Sequence, residues 1–147
     1  MNFFQLDGRI HSGKFAEYPG GVARNIADAL NKLDCPSILL SVLGKDTSSK
    51  IITSTLPLEV TKHIRRITKM ATAQSTAIFD SKGECRLLLG DMEIHKEITP
   101  DFIRNNDNII KTAPLIILDA NLTIEAFETV LKMAEVEQIP GKKSNSL

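Results

Sequence analysis

The chain has few of the features typical of a secreted or membrane-spanning protein. Its 147 residues include no tryptophan, one tyrosine and only two cysteines. Cys35 and Cys85 lie in unrelated sequence contexts without disulfide or metal-ligand spacing, so we expect free thiols that are buried or half-buried. No apolar run approaches transmembrane length, and the first ten residues lack the pattern of a signal peptide. These features predict a protein of the cytoplasm or another reducing intracellular compartment, with no membrane partner and no bound metal.

The chain also lacks an excess of charge of either sign. Its 18 basic and 18 acidic side chains give a formal net charge of zero. Proteins that bind nucleic-acid polymers generally carry a basic patch, and no basic stripe interleaved with aromatic residues occurs here, so we expect no such partner. A content of 42% hydrophobic residues in a chain of this length is enough for the core of one domain.

Helix and strand patterns alternate along most of the chain. Apolar residues recur at helical spacing over residues 22–33, and Pro36 marks the end of that helix. The apolar runs 37–43 and 115–118 are typical of strands buried on both faces. The alternation predicts an α/β fold: a doubly wound, mainly parallel sheet with helices on both faces.

Polar residues mark the start of three further helices. Asp46 is expected to cap a helix that ends near Pro57, Thr99 one that begins with Pro100, and Thr123 the last helix. The expected core face of the last helix consists of Ile124, Phe127, Leu131 and Ala134.

The middle of the chain has a different pattern. Residues 61–68 and 76–89 are strand-like, and Asp80-Ser81-Lys82-Gly83 has the composition of a hairpin turn. Antiparallel strands that interrupt a parallel α/β pattern predict a small sheet beside the main one. An ordinary β-meander without a separate role is the alternative interpretation.

The segment Pro-Gly-Gly-Val-Ala-Arg-Asn at residues 19–25 is the strongest candidate for a binding site. Two adjacent glycines, Gly20 and Gly21, remove two Cβ atoms, so a flat polar ligand can lie against the main chain. The helix that follows presents free N–H groups, and the amide of Asn25 can donate to and accept from a hydroxyl. A simple tight connection before a helix is the alternative.

This segment resembles the first signature of the PfkB/ribokinase family of carbohydrate and nucleoside kinases, and the similarity to its pseudouridine kinase branch runs from about Leu6 to Ile139. Further motifs occur in the order expected of that branch. They are Gly13-Lys14-Phe15, Leu39 to Asp46, Gly90-Asp91-Met92, Ile98-Thr99-Pro100 and Leu118-Asp119-Ala120-Asn121.

The resemblance implies a ribokinase-like fold and a function. Residues 1–140 are expected to form the sugar-binding half of an ATP-dependent kinase domain that phosphorylates the 5′-hydroxyl of a nucleoside or sugar. The antiparallel strands near 61–68 and 76–89 would form a lid over the sugar, and possible homodimers would form through the same strands. The resemblance implies substrate-binding roles for Gly20, Gly21, Asn25 and Asn121, while Asp119 is assigned equally to ligand binding or to loop orientation.

The chain also departs from the family pattern at several positions. Ser75 replaces an aromatic residue that would stack on a base, Gln74 replaces a small residue, and Ser48-Ser49 stand where a glycine is usual. No segment before Arg9 fits the family's first strand, whose aspartate binds the sugar.

The second signature of the family, which supplies the catalytic aspartate and the anion hole, does not occur in the sequence. Residues 141–147 are instead expected to be a frayed polar tail. We therefore expect a truncated kinase domain without catalytic residues, in which ATP and Mg²⁺ belong to the full-length family member and neither is bound by this fragment. The alternative hypothesis is a non-catalytic sugar-binding or dimerisation module derived from such a kinase.

Overall fold

The computed structural model describes residues 8–144, and for residues 141–144 it describes the backbone alone. Helices and strands follow one another along this part of the chain. The strands are β1 (Val42–Gly44), β2 (Arg65–Ile67), β3 (Gln74–Phe79), β4 (Cys85–Asp91), β5 (Ile116–Asp119) and β6 (Gly141–Ser144). The helices are α1 (Val22–Lys32), α2 (Thr47–Ser54), α3 (Leu58–Thr61), the 3₁₀ helix η1 (Glu93–Glu97), α4 (Pro100–Arg104), α5 (Asp107–Lys111) and α6 (Ile124–Val136).

The strands form three pairs. β1 lies parallel to β2, and β5 lies parallel to β6. β3 and β4 form an antiparallel hairpin with Gln74 opposite Asp91 and a register shift at Ile78 and Phe79. The predicted α/β fold, which combines a parallel sheet with a small antiparallel sheet, is therefore confirmed.

Two apolar clusters cover the two sides of β1. Because neighbouring residues of a strand point to opposite faces, Val42 and Leu43 belong to different clusters. The Val42 cluster also contains Ile94, Ile98, Phe102, Ile103, Ile110, Ala126 and Val130. The Leu43 cluster also contains Ala27, Leu39, Leu56, Val60 and Ile64. Helices therefore pack on both faces of this strand, as the alternating pattern predicts.

The three predicted helix caps form as expected. The Asp46 carboxylate accepts a hydrogen bond from the Ser49 N–H at 2.8 Å. The hydroxyl of Thr99 accepts one from the Phe102 N–H, and the hydroxyl of Thr123 accepts one from the Ala126 N–H. Each bond satisfies one of the N–H groups that lack a partner inside the helix.

Two predicted strands differ from the observed ones. The run 37–43 is a strand only from Val42. The residues beside its first part, 58–61, form the helix α3 and so offer no strand to pair with, although the Leu39 N–H donates to the Val60 carbonyl at 2.9 Å. The assignment of 61–68 to an antiparallel lid is wrong. Thr61 ends α3, and residues 65–67 form β2, which pairs with β1 in parallel and not in antiparallel orientation.

The predicted core face of α6 is correct for Ala134, which is buried, and wrong for Ile124 and Leu131, while Phe127 is half-buried. The buried residues of the helix are Ala126, Val130 and Ala134, whereas Ile124 is 74% exposed and Leu131 is 47% exposed. The buried face is the one that contacts α4 and α5, and its small side chains allow the helices to approach closely. Strand β5 is likewise half-buried, not fully buried as predicted.

Residues 141–144, predicted as part of a frayed tail, form β6 and pair with β5. The other residues of the predicted tail, 145–147, and residues 1–7 lie outside the described part of the chain. Cys35 and Cys85 are free thiols as predicted, but both are exposed and not buried. Within residues 8–144, none of the helices has both the length and the apolar character needed to cross a bilayer.

Candidate functional site

The turn before α1 has a backbone conformation that glycine adopts without strain. Gly21 adopts φ of 97°, a conformation that residues with a side chain rarely adopt, and it is the N-cap residue of α1. Gly20 does not share this backbone conformation. A Cβ atom at Gly20 would meet nothing within 4 Å, so the main chain there borders open space.

Asn25 lies one turn into α1, and a neighbouring arginine orients its amide. The guanidinium Nη1 of Arg24 donates to Asn25 Oδ1 at 2.9 Å. The Nη2 of the same arginine donates to the hydroxyl of Thr55 at 2.7 Å and lies 3.6 Å from the carboxylate of Asp28. Arg24 therefore connects α1 to the end of α2. Because its hydrogen bond holds the amide oxygen of Asn25, it also fixes the direction of the Asn25 amide nitrogen.

Asp119 and Asn121 form a turn at the carboxyl end of β5. Asp119 Oδ1 accepts hydrogen bonds from the Asn121 backbone N–H at 3.0 Å and from Asn121 Nδ2 at 2.7 Å. Asp119 thus orients the loop, which is one of the two roles considered for it. The Asn121 side chain carries, in addition, a carbonyl oxygen that can accept from a hydroxyl.

The structure brings the elements that carry these residues into contact. Helix α1, which follows Gly21 and carries Asn25, packs against β5, which ends at Asp119. In open α/β sheets ligands bind beyond the carboxyl ends of the strands, where Asp119 lies. That Gly20, Gly21, Asn25, Asp119 and Asn121 share one sugar pocket stays a prediction.

His95 is a residue that the sequence patterns described above did not single out. His95 is half-buried on η1, and its neighbours Ile94 and Ile98 are both buried. Burial lowers the pKa of His95, while the negative charge of Asp119 acts in the opposite direction, so the imidazole lies within electrostatic range of Asp119. The apolar pair that flanks His95 at helical spacing was the sequence signal for its burial.

A second site that sequence reasoning underestimated surrounds Asp46, which was expected to be only a helix cap. Its Oδ2 accepts from the Thr72 N–H at 2.6 Å, and its Oδ1 accepts from the Thr72 hydroxyl at 2.7 Å. Thr72 Oγ1 in turn accepts from the Gly44 N–H at 2.9 Å. The hydrogen bonds from Thr72, led by that from its N–H, and those with Ser49 lower the pKa of Asp46 from 3.8 to about 2.

Gly44 permits this close contact. A Cβ atom at Gly44 would lie 2.6 Å from the Met70 carbonyl oxygen and 2.7 Å from the Thr72 nitrogen, which is closer than real Cβ contacts allow. Since both neighbours belong to the main chain, neither can rotate away. The glycine that ends β1 is therefore required by the packing of the segment 70–72 against it.

The sequence of the chain matches a known protein family. A family model described as pfkB family carbohydrate kinase matches residues 2–143, which include the first three residues of the predicted tail. The chain is 29% identical to the pseudouridine kinase of Arabidopsis thaliana over 136 residues and 31% identical to that of Escherichia coli K12 over 124 residues. These alignments cover 92% and 83% of this chain but 36% and 40% of the relatives.

A solved structure shows the same fold over nearly the whole chain. The structure of Arabidopsis thaliana ribokinase, complexed with ribose and ATP, superposes with a TM-score of 0.81 at 18% identity. It covers 95% of this chain, which spans 46% of the ribokinase chain. The fold is thus that of the ribokinase-like carbohydrate kinases, and the chain spans less than half the length of the proteins that it matches.

Proposed function

The chain belongs to the pfkB family of carbohydrate kinases, and from this premise we propose that it supplies the substrate-binding portion of an ATP-dependent nucleoside or sugar kinase that resembles pseudouridine kinase. The observation that supports this most directly is the contact between α1 and β5. The helix that carries Asn25 and the strand that ends at Asp119 are thus neighbouring elements, which supports a shared site. The proposed substrate is a small nucleoside or sugar.

Each site residue has a distinct proposed role in holding the sugar. The open main chain at Gly20 and the turn at Gly21 allow the substrate to approach the backbone closely. Asn25 and Asn121 supply amides that can both donate to and accept from ribose hydroxyls. Asp119 holds Asn121 in place through two hydrogen bonds, so we propose a positioning role for it.

Phosphoryl transfer itself is proposed to depend on the part of the relatives that this chain does not span. The reaction requires a base for the hydroxyl and groups that stabilise charge on the transferring phosphoryl group. Within residues 8–144, no group of three or more His, Cys, Asp and Glu side chains is arranged to hold a metal ion. Because the chain spans 36% and 40% of its pseudouridine kinase relatives, we assign ATP and Mg²⁺ to the complete kinase, and we propose that residues 1–147 alone are inactive.

One observation favours a second candidate function, a non-catalytic module that associates through the β3–β4 hairpin. Phe79, Leu88 and Leu89 of the hairpin are all more than half exposed. Leu88 and Leu89 are neighbours on β4 and point to opposite faces, so each face of the two-stranded sheet presents an exposed apolar side chain to a second copy of the chain. In this alternative the chain binds a sugar or forms a homodimer without phosphoryl transfer.

A coupled ADP-release assay with a nucleoside and sugar panel would separate these functions. The chain as given and a chain extended to the full length of its relatives would be compared at equal concentration. We expect turnover of about 1 per second or more only for the extended chain. Turnover by the chain as given would contradict the proposal, whereas an inactive extended chain that forms dimers would favour the second function.

The location of the protein is also a proposal. Cys35 and Cys85 are exposed free thiols, which persist in compartments where glutathione and thioredoxin keep cysteines reduced. We therefore propose a reducing intracellular compartment such as the cytoplasm. A redox-sensitive alkylation of these two thiols in intact cells would test it, and protection of both thiols as disulfides would argue against it.

A further inference from the structure

The β3–β4 hairpin lies between two deeply buried anchors. Thr72, two residues before β3, and Ile94, three residues after β4, are each only 1% exposed. Almost all of the hairpin between them is exposed. An exposed hairpin that is attached at its base can change its orientation unless the contacts at the base have a defined direction, as hydrogen bonds do.

Both anchors hold the hairpin to the same strand, β1. Thr72 accepts a hydrogen bond from the N–H of Gly44, the last residue of β1. Ile94 lies on η1, which contacts β1, and belongs to the same apolar cluster as Val42. The base of the hairpin is therefore attached to one strand by a polar contact on one side and an apolar contact on the other.

The two anchors differ in how well they fix orientation. Apolar packing such as that of Ile94 is non-directional. The contact between Asp46 and Thr72 is directional, because one carboxylate binds both the main-chain N–H and the side-chain hydroxyl of Thr72. Because the pKa of Asp46 is held near 2, the carboxylate stays ionised at neutral pH.

We propose that Asp46 and Thr72 are positioning residues that fix the orientation of the β3–β4 hairpin relative to β1 and the candidate sugar site. The effect on sugar binding rests on the proposed function; the effect on the hairpin does not. Without the Asp46 carboxylate, the Thr72 side of the hairpin keeps the Gly44 hydrogen bond and the apolar packing of Met70 and Ala73 against the Val42 cluster, but it loses the carboxylate contact that fixes its direction. The helix cap that Asp46 forms at Ser49 is a separate role.

Amide hydrogen exchange can separate the two roles of Asp46. Asp46→Ser keeps a residue that caps helices well but is too short to reach Thr72. Thr72→Val removes the hydroxyl at nearly constant volume, and Thr72→Ser keeps a hydroxyl as the matched control. The measurement compares exchange in residues 74–91 with exchange in α2 and α6 of the whole chain.

We expect Asp46→Ser and Thr72→Val to speed exchange in the hairpin about tenfold, with α6 unchanged and Thr72→Ser close to the wild type. Unchanged hairpin exchange in both variants would overturn the proposal. Equal acceleration in the hairpin and α6 would also overturn it, because the contact would then stabilise the whole fold and not orient the hairpin.

A second arm repeats the exchange with millimolar ribose, adenosine or pseudouridine. In the wild-type chain, ligand-induced protection is expected at residues 19–25 and in the hairpin; in Thr72→Val the protection of the hairpin is expected to be lost. If no sugar protects the wild-type chain, the proposed function fails. The ligand-free comparison between Thr72→Val and Thr72→Ser still decides the role of the contact.

Discussion

At the scale of single residues, the sequence around Asp46 predicts its contact with a nearby residue but not its contact with a distant one. The cap at Ser49 lies three residues away and is visible in the sequence, whereas Thr72 lies 26 residues away. Only the fold brings that threonine to the carboxylate. Gly44 is a similar case. A glycine is required there because the main chain of Met70 and Thr72 lies against it, and not because of the conformation of its own turn.

The depressed pKa of Asp46 predicts a specific dependence of stability on pH. Because the folded pKa, about 2, lies below the ordinary value of 3.8, the ionised carboxylate stabilises the folded state above pH 4. That contribution is lost as the pH falls towards 2. We expect Asp46→Asn to reduce the free energy of unfolding by about 1–2 kcal/mol at pH 7, allowing for the partial exposure of the group.

Urea unfolding of the wild type and Asp46→Asn between pH 7 and pH 3 checks this prediction. The difference in unfolding free energy should stay constant down to about pH 5 and narrow to roughly half by pH 3. A difference that does not change over this range would mean that the carboxylate charge is not the stabilising feature.

The two glycines before α1 are expected to respond differently to alanine. Gly21→Ala places a side chain at φ of 97°, so we expect a loss of about 1–2 kcal/mol in the free energy of unfolding. Gly20→Ala meets open space and should change stability by less than about 0.5 kcal/mol. Chemical denaturation of both variants tests the pair, and equal losses would contradict the assigned backbone roles.

At the scale of elements, the β3–β4 turn depends on one aspartate. Asp80 Oδ1 accepts from the N–H groups of Lys82 and Glu84 at 2.8 and 3.1 Å, and Oδ2 accepts from Arg86 Nε at 2.8 Å. The hydrogen bond from Arg86 is the main cause of the lowered pKa of Asp80. The Asp80 carboxylate therefore fixes both the turn and the first residues of β4.

We expect Asp80→Ala to speed amide exchange in β3 and β4 about fivefold, because the turn loses several hydrogen bonds, each worth about 1 kcal/mol or less at an exposed site. Ser81→Ala, in the same exposed turn, is the control and should leave exchange unchanged. The prediction is wrong if the two variants behave alike.

Element boundaries and element faces were predictable to different degrees. The helix starts at Asp46, Thr99 and Thr123 could be predicted because a cap is decided within three residues. The buried face of α6 could be predicted only at Ala134, because α4 and α5 cover Ala126 and Val130 instead of the larger apolar residues Ile124 and Leu131. The periodicity of the sequence shows that a helix is amphipathic but does not show which part of its apolar surface a neighbour covers.

At the scale of the whole molecule, the order of the motifs predicted the family and the fold, and the same order predicted the site residues. The contact between α1 and β5 agrees with a shared site without showing it. The electrostatic proximity of His95 and Asp119 could not be predicted, because the two residues are far apart in the sequence and only the fold brings them within range.

The proposed role of Asn25 in binding the sugar is tested by comparing the KM values of both substrates. The experiment therefore uses a chain extended to the full length of its relatives. There we expect Asn25→Ala to raise the KM for the nucleoside about tenfold, since an unpaired ribose hydroxyl costs about 1–2 kcal/mol. The KM for ATP should change little. Asn31→Ala, two turns further along α1, is the matched control. An equal rise in both KM values, or the same effect from Asn31→Ala, would show that Asn25 supports the helix and does not bind the substrate.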